Sequence, residues 1–271
     1  MILQLIRFWS DWMRLLAVGD VCSSVGCDYV RQILPSLKKE KQIDVVIING
    51  ENSAFGNGIT PESADSLFNY GADIITGGNH TLRRKEVFDY LENNPYLLRP
   101  HNLSEATYGS GYCLADFGSF SVATINLSGT IYLEKLSANN PFTTADELIE
   151  KAKKDTADVI VVDFHAEATS EKRALGLYLD GKVSAVFGTH THVQTADEQI
   201  LPNGTGYITD LGMTGVKNSV LGVKSEIIIN RLKSNDMSKF EFADGECMLS
   251  ACIFDIDIKN GKTVSIERIC I

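Results

Sequence analysis

The chain has 271 residues, 44% of them hydrophobic and 22% charged, the balance of an ordinary globular protein long enough to bury a full core. Its formal net charge of -10 argues against an extended surface for nucleic acid or anionic membrane, because such binding needs clustered Lys and Arg to displace counterions. The expected partner is small, or is met locally at a cationic site. Six cysteines (Cys22, Cys27, Cys113, Cys247, Cys252, Cys270) form no CxxC pair, which fits neither a disulfide framework nor a zinc knuckle and makes a reducing cytoplasm the simpler setting.

Residues 1–12 mix Ile2, Leu3, Leu5, Ile6, Phe8 and Trp9 with Arg7 and Asp11. The stretch is too short and interrupted to span a bilayer, and it lacks the longer apolar region and cleavage site of a signal peptide. Met13 reads as the natural start, making 1–12 an N-terminal extension and 13–271 a single domain. A short amphipathic helix packed on the body or on a partner is the other reading of those residues. Short runs rich in β-branched residues predict strands at 15–18, 45–48, 74–76, 121–125, 159–164, 185–187 and 207–209. Helices are predicted at 29–39, at 61–70 with Thr60 as N-cap and Gly71 as stop, and at 85–91, 144–153 and 170–178. Alternation of this kind implies a layered α/β domain. Past Gly245 the pattern changes to a run over 248–257, the pair Asn260-Gly261 and a run over 263–269, an antiparallel hairpin with a short Asn-Gly turn. No linker or repeat divides the chain.

Four of the five histidines lie just beyond predicted strands, where ligands gather in open α/β sheets. The same rim receives Asp20, Glu51-Asn52 and Asn79-His80. Taken singly each has a plainer role: Asp20 as a helix cap, Asn79 as a turn residue beside Gly77-Gly78, a lone histidine as a hydrogen-bonded structural group. Gly188-Thr189-His190-Thr191-His192 points further, because alternate residues of an extended backbone face the same way and would bring both imidazoles to one site. A cage of carboxylate, amide oxygen and imidazole suits manganese, iron or zinc better than a soft metal. One carboxylate among three histidines can bridge two cations, and two cations roughly 3.5 to 4 Å apart can stabilise the attacking and leaving oxygens of an in-line displacement at phosphorus.

In that order, Gly19-Asp20, Asn49-Gly50-Glu51-Asn52, Gly78-Asn79-His80, His165 and Gly188-Thr189-His190-Thr191-His192 resemble the signature of the calcineurin-like metallophosphoesterases. The wording Ile-Asn-Gly-Glu-Asn (48–52), Asp-Phe-His-Ala-Glu-Ala-Thr-Ser-Glu-Lys (163–172) and Gly-Thr-His-Thr-His-Val-Gln-Thr-Ala-Asp (188–197) is similar to the bacterial YmdB-like branch, and the likeness covers almost the whole chain. The resemblance implies a four-layer α/β/β/α sandwich with mixed sheets and two divalent or trivalent ions, iron or manganese, with zinc also compatible. It implies that Glu51 bridges the ions, that Asp20, Asn52 and His192 complete one and Asn79, His165 and His190 the other, and that His80 is the general acid. The implied reaction is attack of a metal-bridging hydroxide on a small phosphodiester, a 2′,3′-cyclic nucleotide.

The chain also departs from these patterns. The general superfamily places a histidine two residues after the first aspartate, where this chain has Cys22; Asn52 is the expected substitute, and Cys22 is expected to be a buried apolar residue. Where members of the branch carry Trp-Asp this chain has Leu82-Arg83, and where many carry an arginine it has Thr130, so its substrate contacts are unknown from sequence. Arg83 or Arg84 could supply a lost cation, or be solvated charges at a helix start. His101 matches no ligand position and is expected to be structural. Two other functions stay open here: a phosphomonoesterase or phosphoprotein phosphatase on the same site, and a regulatory protein that senses a nucleotide or meets RNA-processing partners. A homo-oligomer is expected from the hairpin's open edge and the apolar residues 1–12.

Overall fold

The computed structural model describes residues 11–104, 107–133, 136–234 and 238–271. Residues 1–10 lie outside these, and so do the readings of the extension as a helix or an apolar arm. In chain order the elements are β1 (Trp12–Val18), β2 (Asp20–Val21), α1 (Ser23–Glu40), β3 (Val45–Asn49), α2 (Pro61–Asn69), β4 (Ile74–Thr76), α3 (Phe88–Asn93), β5 (Tyr112–Asp116), β6 (Ser121–Ser128), α4 (Pro141–Lys154), β7 (Val159–His165), α5 (Thr169–Tyr178), β8 (Ala185–Thr189), β9 (Gln199–Ile200), β10 (Gly206–Ile208), β11 (Met213–Val216), α6 (Ser225–Ser234), β12 (Cys247–Asp257) and β13 (Lys262–Cys270).

The apolar runs form strands buried on both faces, and this sets the layers. In β1, Leu16 and Val18 pack with Val30, Leu34 and Leu37 of α1, while Leu15 and Ala17 point the other way, into a core shared with the second sheet. In β7, Val161 faces that shared core and Ile160 and Val162 pack with Leu148 and Ile149 of α4 and Leu175 of α5. Alternation within a continuous apolar run therefore produces helix, sheet, sheet and helix, the expected four-layer sandwich. Each fully buried Leu, Ile or Val contributes about 1.5–3 kcal/mol, so the central strands anchor whatever loops they carry.

One sheet has the order β2-β11-β12-β1-β3-β4, with β13 also paired to β12; the other is β5-β6-β7-β8-β10-β9. Both are mixed: β1, β3 and β4 run parallel, as do β6, β7, β8 and β10, with β12 antiparallel to β1 and β5 antiparallel to β6. The C-terminal hairpin pairs Asp257 with Lys262 and Ser250 with Cys270. Thr263 at its turn donates from Oγ1 to Ser184 O at 2.7 Å, tying the hairpin to the second sheet.

Two departures from the sequence reading concern the bounds and type of helices. Helix α1 begins at Ser23, six residues ahead of the expected Tyr29. Its N-cap Cys22 makes no side-chain cap; instead Ser23 N donates to Asn52 O at 2.8 Å, so the first turn is held by a distant loop and carries no local signal. Thr60 does cap α2, receiving Ser63 N at 3.3 Å. The helix expected at 85–91 is a 3-10 turn (Lys85–Val87) running into α3.

Candidate metal centre

Glycines let the strand ends converge. A Cβ on Gly19 would lie 2.2 Å from Gly212 O, so only glycine lets the chain pass β11 and present Asp20. A Cβ on Gly78 would lie 2.3 Å from His165 Nε2 and 2.4 Å from Glu51 Oε2, so the loop carrying Asn79 and His80 sits directly on the polar cluster. Asp20 follows β1, Glu51 and Asn52 follow β3, Asn79 and His80 follow β4, His165 ends β7, and His190 and His192 follow β8. Both sheets thus contribute to one rim.

The structure brings these residues together in two groups that share Glu51. In the first, His165 Nε2 lies 2.8 Å from Asn79 Oδ1, 3.1 Å from His190 Nδ1 and 3.3 Å from Glu51 Oε1. Glu51, His165 and His190 have their ligand atoms within 4.8 Å of one another, the spacing of a metal-holding cluster. In the second group, His192 Nε2 is 3.6 Å from Asp20 Oδ1 and 3.4 Å from Asn52 Nδ2, and Asn52 Nδ2 donates to Glu51 Oε1 at 3.0 Å. Asp20 Oδ1 is buried and makes no hydrogen bond, a cost a protein tolerates where a cation or a donor is to be held. Asn52 is the member whose oxygen is turned away, toward His80 Nδ1 at 3.0 Å.

Both histidines of the Thr-His-Thr-His segment reach the site, but not by strand alternation. His190 has φ +104° and His192 φ +64°, so the backbone bends through the left-handed region instead of running extended. Two such residues cost of order 1–3 kcal/mol each and persist only where the surroundings fix them. Here Asp20 Oδ2 receives His190 N at 3.1 Å and Asp210 Oδ2 receives Thr191 N at 3.2 Å. Asp210 is itself held by Lys172 at 2.6 Å in an ion pair whose side chains are both 1% exposed.

Behind the imidazoles lies a second set of contacts. Thr189 Oγ1 donates to Asp163 Oδ1 at 2.7 Å and faces His165 Nδ1 at 2.9 Å, so Nδ1 is the donor and Nε2 points into the cluster. Asp163 is held in turn by Thr76 and Asn49. Glu167 Oε2 takes His190 Nε2 at 2.9 Å, leaving His190 Nδ1 for the site. Such partners orient ligand imidazoles and raise their basicity.

The charges are arranged to draw a cation. Burial acts to raise Glu51, but His165's charge and hydrogen bonds from His165 and His80 outweigh it and hold the carboxylate well below its usual range. Burial alone would lower His165; Glu51, then Asp20 and Asp163, raise it to about 9, so in the metal-free protein its proton supplies the positive charge Glu51 draws. Burial raises Asp20 to about 7, with Glu51 and Asp210 adding and His165 opposing. Burial, with His165 next, depresses His190 to about 3, and burial takes His192 to about 4, so both are neutral with lone pairs free at neutral pH. The unbonded Asp20 oxygen, the clustered imidazole lone pairs and the low Glu51 together fit metal ions, bound in competition with protons.

The centre opens into a cavity of about 920 Å³. His80 stands at its mouth with its side chain 30% exposed, its backbone N donating to Glu51 Oε2 at 2.7 Å and its Nδ1 3.4 Å from Glu51 Oε1. Cys22 also lines it, buried as expected, with Sγ 3.4 Å from His192 Nδ1. Of the two arginines, Arg83 lines the cavity, whereas Arg84 is engaged by Phe55 O and Asn57 O. Thr130 is tied to the buried Glu171, and His101 receives Gly111 N; neither lines the cavity. Sequence reasoning missed Phe55, Phe240 and Phe242, which form the outer wall with residues of 221–244. Aromatic side chains in loops carry no strand-end signal, although three phenylalanines near Gly-rich or polar turns were a trace of it.

A family model described as YmdB-like protein matches residues 16–269. A 2′,3′-cyclic-nucleotide 2′-phosphodiesterase of Bacillus subtilis is 50% identical over 259 residues, 96% of this chain and 97% of its own length. A solved structure of a hypothetical protein from Thermus thermophilus superposes with a TM-score of 0.88 at 37% identity, covering 96% of this chain and 99% of that one. A structure described as a novel phosphatase from Mycoplasma pneumoniae gives 0.90 at 36% identity, covering 96% and 93%.

Proposed function

Since the chain belongs to the YmdB-like family, we propose that it is a two-metal phosphodiesterase that opens 2′,3′-cyclic nucleotides, with His80 as the general acid. The observation that carries this reading is the position of His80: it contacts Glu51 and Asn52 yet faces the cavity, while the groups behind it are buried. Asp20, Glu51 and His192 would hold one ion, joined by Asn52 through the second lone pair of the oxygen that accepts from His80, and Glu51, Asn79, His165 and His190 would hold the other, with iron or manganese suited to the donors and zinc also compatible. When bound, the ions supply positive charge to the phosphoryl oxygens and lower the pKa of the attacking water.

The side chains provide the rest. His80 donates from Nδ1 to Asn52 Oδ1, which leaves Nε2 toward the cavity. With Nδ1 engaged, the ring in its doubly protonated form can pass a proton from Nε2 to the departing O2′ as water adds at phosphorus and the P–O2′ bond breaks, the proton shed by that water leaving to solvent. The product is a nucleoside 3′-phosphate. Arg83, which lines the cavity as His80 does, would fork onto phosphoryl oxygens. Cytoplasmic residence is part of the reading, supported by free cysteines of which Cys22, Cys27, Cys113 and Cys252 are buried. No helix among the described residues is long and apolar enough to cross a membrane.

Elemental analysis of the purified protein, beside rates on 2′,3′-cyclic AMP, linear diesters, phosphate monoesters and a phosphopeptide, tests this. Two ions per chain and preference for the cyclic diester are expected. Faster turnover of monoesters or phosphopeptide would replace the reading with a phosphatase, and nucleotide binding without turnover in iron or manganese would make the protein a sensor.

A further inference from the structure

The outer wall of the cavity has no role in the chemistry so far described, yet it is held in one shape by several contacts. Directly after Glu51-Asn52 the chain makes a tight loop in which Gly56, Asn57 and Gly58 take φ of +78°, +64° and +82°. The two glycines let the chain turn this sharply, and the loop is closed by Ala54 N donating to Gly58 O at 2.9 Å. Arg84 clamps it from below through Asn57 O and Phe55 O. The product of this construction is Phe55, a residue 78% exposed that lines the cavity. Opposite stands Phe242, its ring centroid 5.6 Å from that of Phe55 with the planes 58° apart. Phe242 is fixed by its bridge to Val223, and Lys224 N donates to Glu241 O at 2.9 Å beside it.

Holding a large apolar ring in water on a rigid loop forgoes the burial free energy it would otherwise contribute. A flat, apolar ligand surface recovers that free energy, and an aromatic face is the usual partner of a nucleobase. The metal-centre end of the cavity is lined by carboxylate, amide and imidazole groups, and the other end carries Phe55, Phe240, Phe242, Leu221 and Val223 beside the ion pair Lys224–Glu241, which matches a nucleotide with its phosphate at the first end and its base at the second.

We propose that Phe55 and Phe242 form a stacking platform for the nucleobase of the substrate and that Arg84, acting through the loop, is its positioning residue. This rests on the cyclic-nucleotide reading above. The platform makes the enzyme selective for nucleotides over base-free cyclic phosphodiesters while tolerating different bases, because every base has a π-face.

The test compares Phe55→Ala, Phe242→Ala and Phe55→Trp with the wild-type holoenzyme on 2′,3′-cyclic AMP, 2′,3′-cyclic CMP and ribose 2,3-cyclic phosphate, which lacks a base. Phe55 is exposed, so its replacement spares the fold; melting temperature and metal content are recorded for each variant. Both alanine variants are expected to raise KM for the two nucleotides by roughly five- to a hundredfold, the worth of one stacked base. The base-free substrate should be unaffected, and Phe55→Trp should restore the nucleotide KM. Equal losses on all three substrates, or no loss on the nucleotides, would overturn the platform. Wild-type protein that turns over none of the three would instead overturn the cyclic-diester reading on which it stands. Arg84→Ala should raise KM for nucleotides as Phe55→Ala does with kcat unchanged; a variant that loses kcat on ribose 2,3-cyclic phosphate as well would show that Arg84 does more than hold the loop.

Discussion

The floor and the outer wall of the cavity are made by opposite means. The floor is delivered by the ends of central strands, and several of its groups are pinned by neighbours that are themselves buried: His165 by Thr189 and Asp163, Thr191 N by Asp210 and Lys172. The wall comes from the loop after Asn52 and from described residues of 221–234 and 238–244 between β11 and β12, where α6 has no buried residue and Phe55, Leu221 and Phe240 are more than half exposed. A rigid floor suits a reaction that needs charges held in place before substrate arrives. An exposed wall suits recognition, which can change without disturbing the chemistry.

If that division is real, damage to the floor should abolish reaction or metal, and damage to the wall should change which substrate is used. The largest effect is expected from Glu51→Ala: removing the shared carboxylate should lower metal content measured by elemental analysis and cut kcat/KM by about a thousandfold or more, the equivalent of several kcal/mol of charge stabilisation. Retention of both ions with full activity would remove Glu51 from the centre. His80→Ala stands between floor and wall. It should keep the metals and lower kcat by roughly 10²–10⁴, the usual contribution of a general acid, with an unchanged rate showing that the proton comes from elsewhere. Thr189→Val keeps the shape and removes only the hydroxyl that orients His165, so metal affinity measured by competition with a chelator should weaken about 10- to 100-fold. The smallest effect belongs to the wall's surface: Lys224→Ala breaks an exposed ion pair with Glu241 at 2.6 Å and should leave metal content and melting temperature where they were. A large drop in either would mean that the wall supports the floor after all.

The same division explains what could be read from sequence. Strands such as β3 and β7 declared themselves because burial on both faces demands an uninterrupted apolar run, and the donors declared themselves by following those runs. The two-residue β2, the four-residue β11 and helix α6 escaped, since each is too short or too exposed to impose periodicity. Helix α1 was legible only in its later turns because its start is fixed by Asn52 O, a contact distant in sequence and visible only once β3 lies beside β1. The backbone at His190 and His192 was misjudged for a related reason: its bend is imposed by Asp20 and Asp210, from outside the segment. Asp163, Lys172 and Asp210 lay in plain view in the sequence, but a buried charge is recognised by its partner, and partners far along the chain have no local signature.

The position of β12 has a consequence for biosynthesis. It is not a terminal embellishment: in the sheet order β2-β11-β12-β1-β3-β4 it fills the interior, between β1, which leads the chain to Asp20, and β11, which pairs with Asp20 itself. Yet it begins at Cys247, far along the chain from β1 and after every strand of the second sheet. A chain emerging from the ribosome could pair β1 with β3 early, but the neighbour that closes β1 on its other edge arrives only after the whole second sheet has been made. Nascent chains stalled before Cys247 should therefore hold an unfinished sheet with an open edge, and the metal centre is expected to mature only once β12 has been made.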